Sequence, residues 1–185
     1  KVVGERLGKS ILELGGNNAI ILSQEADLKM ALPAIVFGAV GTAGQRCTST
    51  RRLIIHDSIY DSTIDKLKTI YTQLRIGNPL DENNHMGPLI DKDAVGNYTR
   101  ALAAAKKEGG TLLAGGKVLS GEGYESGCYV EPAIVEAQNH FHIVQEETFA
   151  PILYVLKYND LNEAIAMQND VKQGLSSSIF TKNLQ

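Results

Sequence analysis

The stretch Ala19-Ile-Ile-Leu-Ser-Gln-Glu-Ala-Asp-Leu-Lys-Met-Ala-Leu-Pro-Ala-Ile-Val-Phe-Gly-Ala-Val-Gly41 changes its hydrophobic period part-way along. Residues 19–22 form a short, unbroken apolar run, the pattern of a strand buried on both faces. Asp27 is suited to cap a helix beginning near Leu28, because its carboxylate can accept from a free first-turn N–H. Leu28, Leu32, Ile35, Val36, Ala39 and Val40 then recur at helical spacing. Pro33 has no N–H to give a helix interior, so the helix is expected to start close to it. Gly41 and Gly44 should end it.

The same alternation continues outward. Residues 52–56 read as a second strand, and a helix over residues 59–74 follows with Asp57 or Ser58 as its cap. Gly77-Asn-Pro-Leu-Asp-Glu-Asn-Asn-His-Met-Gly-Pro88 is a turn-rich loop. A helix over residues 91–107, short strands at 111–114, 129–135 and 152–156, a short helix at 161–169 and a last strand at 177–180 complete the pattern. Strands alternating with helices predict an α/β fold: a mostly parallel sheet with flanking helices.

The chain has 185 residues, enough for one domain with its own core. Its net charge of −3, with no basic cluster beyond Arg51–Arg52 and Lys106–Lys107, argues against nucleic acid as a partner. No apolar run approaches the roughly 18–20 residues of a membrane span. Two cysteines are too few for a disulfide scaffold, which points to a reducing, cytoplasmic setting. Lys1-Val-Val-Gly opens without Met, and the chain stops just after a strand-like run. Both ends are expected to be cut from something longer.

Three segments carry candidate chemistry. Cys47 lies in Gly41-Thr-Ala-Gly-Gln-Arg-Cys-Thr-Ser-Thr50, a small-residue turn with Arg46 before the thiol and hydroxyl residues after it. A neighbouring cation increases the reactive thiolate fraction, which suits a nucleophile. A buried, inert thiol is the plainer alternative. Glu13 interrupts the apolar run Ile11-Leu-Glu-Leu14 ahead of paired glycines. Partial burial would raise its pKa toward the range of a general base, and exposure on an edge is the other reading. Glu146-Glu-Thr-Phe-Ala-Pro151 enters a strand with two carboxylates. They are either a solvated strand end or a group able to accept both hydroxyls of a ribose diol.

Other motifs fall away. Gly8-Lys9-Ser10 lacks the upstream glycine of a phosphate-binding loop, since Val3 stands there. His140 and His142 share one face if that segment is a strand, with no further Cys or His near enough in sequence to complete a metal site. Gly115-Gly116 lacks the strand and helix context of a dinucleotide turn. Cys128, beside a β run, is expected to be structural.

Taken together, Glu13-Leu-Gly-Gly16, Gly44-Gln-Arg-Cys47 and Glu146-Glu-Thr-Phe-Ala-Pro151 resemble the signature blocks of the aldehyde dehydrogenase superfamily. The resemblance runs over essentially the whole chain, through Gly77-Asn-Pro79, Met86-Gly-Pro-Leu89 and Gly174-Leu-Ser-Ser-Ser-Ile-Phe180. Its wording is nearest to the antiquitin branch, whose members oxidise α-aminoadipic semialdehyde in lysine breakdown. Ala150, where many relatives carry glycine, is shared with that branch.

The resemblance implies Cys47 as nucleophile and Glu13 as the base that activates water. It implies Glu147, Phe149, Leu14 and Gly15 on the cofactor, with Glu147 holding the nicotinamide ribose, and Arg46 on the substrate's carboxylate. Cys47 N–H would be one oxyanion donor, the second being an asparagine upstream of residue 1. The implied cofactor is NAD, with NADP as the other choice, and no metal is implied. The implied partner is a small-molecule aldehyde, within a parent that is a homo-oligomer. Residues 1–14 would be the trailing edge of a cofactor-binding domain, and residues 15–185 an incomplete catalytic domain without activity of its own. A cofactor-free cysteine acyl-transfer or esterase domain, which would need a histidine beside Cys47, and an inert assembly module are the competing readings.

Overall fold

The computed structural model describes residues 1–183. Six strands form one sheet in the order β3-β4-β5-β2-β1-β6. They are β1 (Asn18–Leu22), β2 (Thr50–His56), β3 (Thr111–Ala114), β4 (Ala133–Glu136), β5 (Ile152–Tyr158) and β6 (Ser177–Phe180). All neighbours run parallel except β3 and β4. The helices are α1 (Val2–Glu5), α2 (Leu28–Val40), α3 (Asp57–Thr72), α4 (Lys92–Lys107), α5 (His142–Gln145) and α6 (Leu161–Asn169).

The central strands β1, β2 and β5 are buried almost throughout, which explains their continuous apolar runs. Helices α2 and α3 pack on β2 and β5 and on each other, whereas α6 packs on β1, β2 and β5. The chain steps from β1 to β2 in one direction and from β5 back to β6 in the other. Right-handed crossovers taken in opposite directions put α2 and α6 on opposite faces. The core therefore lies on both sides of the sheet. No described helix is long and apolar enough to cross a membrane.

Several boundaries differ from the sequence expectation, each for a local reason. Helix α2 starts at Leu28 behind its Asp27 cap as expected, which leaves Pro33 in the second turn rather than close to the start. Asp27 fixes that start, its Oδ1 accepting from Lys29 N at 3.0 Å, and the proline forgoes only the bond to Lys29 O. Helix α3 begins at Asp57 and is capped by His56, whose ring Nδ1 accepts from Ser58 N at 3.2 Å. Neither Asp57 nor Ser58 is the cap. The run over residues 129–135 is not one strand: Pro132 has no N–H for the ladder, so β4 begins at Ala133 and Val130 makes only an isolated bridge to Val118. His140 and His142 do not share a strand face. His142 opens α5 and lies 3.5 Å from Glu146, while His140 meets Phe141 edge-on.

Candidate active site

Three irregular segments meet at the amino-terminal ends of β1, β2 and β5: residues 13–17, 44–49 and 146–151. Parallel sheets usually carry their sites at the opposite, carboxyl ends. The inversion here follows from what precedes each strand. After α2 the chain passes a tight turn with Thr42 and Ala43 at φ 53° and Gly44 at φ 67°. Three consecutive positive φ values reverse the chain so that Cys47 stands just before Thr50, the first residue of β2. Gly44 is required twice over, since a Cβ there would also strike the backbone at Ala150.

The turn is bolted on every side. Asn18 Nδ2 donates to Cys47 O at 2.7 Å and to Ser49 O at 2.9 Å, while Asn18 Oδ1 accepts from Ser176 N at 3.2 Å. Gln45 Oε1 accepts from Ile90 N at 2.8 Å, tying the turn to the Met86-Gly-Pro-Leu89 loop. Beneath it lies Arg51, 2% exposed. Its guanidinium donates to the carbonyls of Gly16, Gly44, Arg46 and Thr148, and to Glu147 Oε1 at 3.3 Å. Burial lowers the Arg51 pKa, and the Glu147 charge opposes that shift. Arg52, fully buried, donates to Asn17, Met167 and Gln168 carbonyls, so it joins the start of β1 to the end of α6. Burial brings its pKa down to about 10, which still leaves it charged at neutral pH.

These contacts shape one open cleft of about 560 Å³, lined by Glu13, Leu14, Gly15, Gln45, Arg46, Cys47, Thr48, Glu147 and Phe149. All seven residues singled out from the sequence line it. Cys47 is partly exposed there as a free thiol. Only one of the paired carboxylates is drawn in: Glu147 Oε1 accepts from Gly16 N at 3.0 Å, while Glu146 turns to His142. Phe149 is half-exposed, its ring centre 5.4 Å from the Arg51 guanidinium. Of the two readings of Glu13 the exposed one holds: residues 9–17 form no helix or strand, and Ile11, Leu12 and Leu14 around it are exposed as well. Arg46 turns to Phe37: its guanidinium lies 4.9 Å over that ring, and Nη2 donates to Phe37 O at 3.2 Å.

Gly15 and Gly16 are set by close approach. A Cβ on Gly15 would occupy the place of Glu147 Oε2, and one on Gly16 would overlap the Cys47 carbonyl oxygen. The Cys47 carbonyl is already held by Asn18 and cannot yield cheaply. Gly16→Ala is therefore expected to cost about 1–3 kcal/mol of stability through overpacking. Urea denaturation measures it, and an unchanged midpoint would mean the turn gives way freely.

A family model described as "Aldehyde dehydrogenase family" matches residues 1–185. The chain belongs to the aldehyde dehydrogenase family. It is 55% identical over 184 residues to α-aminoadipic semialdehyde dehydrogenase of Mus musculus, covering 99% of this chain and 33% of that protein. It is 50% identical over 182 residues to aldehyde dehydrogenase family 7 member A1 of Pisum sativum, covering 98% and 35%. Among solved structures, betaine aldehyde dehydrogenase from Staphylococcus aureus, in complex with NAD+, matches with a TM-score of 0.93 and 30% identity, over 98% of this chain and 36% of that one. The chain thus spans about a third of the length of these aldehyde dehydrogenases.

Sequence reasoning missed Asn18, Gln45 and Arg51. Arg51 had a signal: two adjacent arginines enter the apolar run Leu53-Ile-Ile55, and a cation in a buried strand must be satisfied inside the protein.

Proposed function

We propose that the protein carrying this chain oxidises an aldehyde to a carboxylic acid with NAD or NADP, using Cys47 as nucleophile. The observation that carries this reading is the convergence of Cys47, Glu13, Glu147 and Phe149 on one cleft, with Glu147 held on a single carboxylate oxygen. That arrangement suits a nicotinamide nucleotide. A carboxylate clamped through Oε1 keeps Oε2 for a ribose hydroxyl, and an aromatic face lies on the same wall.

The Cys47 thiolate attacks the aldehyde carbon; a C–S bond forms and the carbonyl pair moves onto oxygen. The Cys47 N–H is the oxyanion donor that this chain supplies. When bound, the nicotinamide supplies the acceptor for the hydride that leaves the same carbon. The carbonyl re-forms as a thioester on Cys47. Glu13, open to solvent at the cleft, takes a proton from the water that attacks it. The C–S bond breaks, the acid leaves and the thiolate returns. No histidine lines the cleft among the described residues, so support for a cofactor-free acyl-transfer or esterase mechanism is lacking.

The name of the mouse relative favours α-aminoadipic semialdehyde as substrate. We assign Arg46 to its distal carboxylate. Residues 1–14 are read as the trailing edge of a cofactor-binding unit and residue 15 onward as the thiol-bearing unit, of which the last two residues lie outside the described ones. The exposed apolar side chains of Leu7, Ile11 and Leu12 fit such a division. A cytoplasmic homo-oligomer without activity in this chain alone completes the reading.

The test incubates the full-length protein with α-aminoadipic semialdehyde and NAD or NADP. Stoichiometric reduced nucleotide and acid are expected; no reduction with either nucleotide would overturn the proposal. Arg46→Ala is expected to raise KM for α-aminoadipic semialdehyde about tenfold or more, since a charge-assisted bond is lost, while a short aliphatic aldehyde is spared. Equal changes for both substrates would remove Arg46 from the substrate site.

A further inference from the structure

We propose that Arg51 is a positioning residue for nucleotide binding: its buried guanidinium fixes the Glu147 carboxylate against the Cys47 turn, with one oxygen bound inside the protein and the other kept for the ligand. The inference rests on the assignment of Glu147 to the nucleotide made above. It goes beyond that assignment by naming the group that orients the carboxylate.

The acceptors around Arg51 belong to the three segments that build the cleft. Nε reaches Gly16 O at 3.4 Å, Nη1 reaches Gly44 O at 3.3 Å and Thr148 O at 2.5 Å, and Nη2 reaches Arg46 O at 3.1 Å and Glu147 Oε1 at 3.3 Å. These segments are irregular, so a side chain has to set their spacing where no strand ladder does. A planar fork with five donors can hold several carbonyls in fixed relative positions; a lysine ammonium cannot. Glu147 Oε1 takes its second bond from Gly16 N, which is itself part of the first segment. Oε1 is thus fully engaged within the protein, and rotation of the carboxylate would break two bonds at once. Oε2 has the Gly15 backbone beside it, where a side chain would exclude it. The carboxylate is locked in one orientation before any ligand arrives, which reduces the ordering cost of binding.

The experiment measures NADH affinity of the full-length protein by fluorescence, for wild type, Arg51→Lys, Glu147→Gln and the double variant, with circular dichroism to verify folding. Arg51→Lys keeps the charge and loses the fork. It is expected to weaken NADH binding about ten- to a hundredfold, as Glu147→Gln does, and the double variant should be no weaker than either single one. Wild-type affinity in Arg51→Lys alongside weakened Glu147→Gln would overturn the positioning role alone. Wild-type affinity in both would overturn the Glu147 assignment and the inference with it. Should Arg51→Lys not fold, Glu147→Asp withdraws the carboxylate from Arg51 and Gly16 while leaving Arg51 in place. It is expected to lose affinity by a similar factor, and wild-type binding there would sink the proposal.

Discussion

Cys47→Ala is expected to lower aldehyde oxidation by the full-length protein at least about 10⁴-fold, the scale on which removing a covalent nucleophile acts. The substitution deletes one partly exposed sulfur from a turn whose backbone is held by Asn18, Gln45 and Arg51. The turn should keep its shape, and stability should change by no more than about 0.5 kcal/mol, as for most exposed positions. Loss of activity without loss of fold is the combination that identifies a nucleophile. Intact-protein mass spectrometry after substrate and nucleotide should show an acyl adduct on wild type and none on Cys47→Ala. Continued oxidation by the variant would exclude the covalent route, leaving Glu13 without a thioester to hydrolyse.

The fold was legible where one signal was enough. Residues 19–22 are an apolar run of strand length, and residues 161–169 follow Asp160, which caps them through Asn162 N at 2.9 Å. It was illegible where two residues competed or a segment was too short to show a period. His56 capping α3 is a contact that the usual Ser, Thr, Asp and Asn vocabulary does not include. The four-residue helices α1 and α5 span barely one turn, so no spacing could announce them.

The site divides in the same way. Cys47 stands out beside a cation in a small-residue turn, Glu13 as a charge inside an apolar run, and Glu147 as one of two carboxylates entering a strand. Their meeting at the amino ends of the strands was not readable from those local patterns. It depends on three consecutive positive φ angles and on donors reaching across more than a hundred residues, from Asn17 Nδ2 to Val144 O and from Gly16 N to Glu147. Arg51 shows the converse. In the sequence it counted only as half of a small basic pair, but as a buried cation it organises the cleft. Charge counts speak about partners only after burial is known.

Glu13→Gln is expected to separate the two halves of the reaction. If Glu13 activates the water, its amide keeps the shape of the carboxylate and loses the base, so kcat should fall by about 10²–10⁴-fold. Thiolate attack and hydride departure need no such base. The first turnover should therefore persist as a burst of one reduced nucleotide per site, followed by a stalled thioester on Cys47 visible as an added acyl mass. The exposure of Glu13 favours this late role, because a base that must collect water gains from an open flank, whereas one acting on the thiol would need to be buried against it. A variant that turns over at the wild-type rate would remove Glu13 from the mechanism. A variant that loses the burst together with the steady state would move Glu13 to the first half, as the group that deprotonates Cys47.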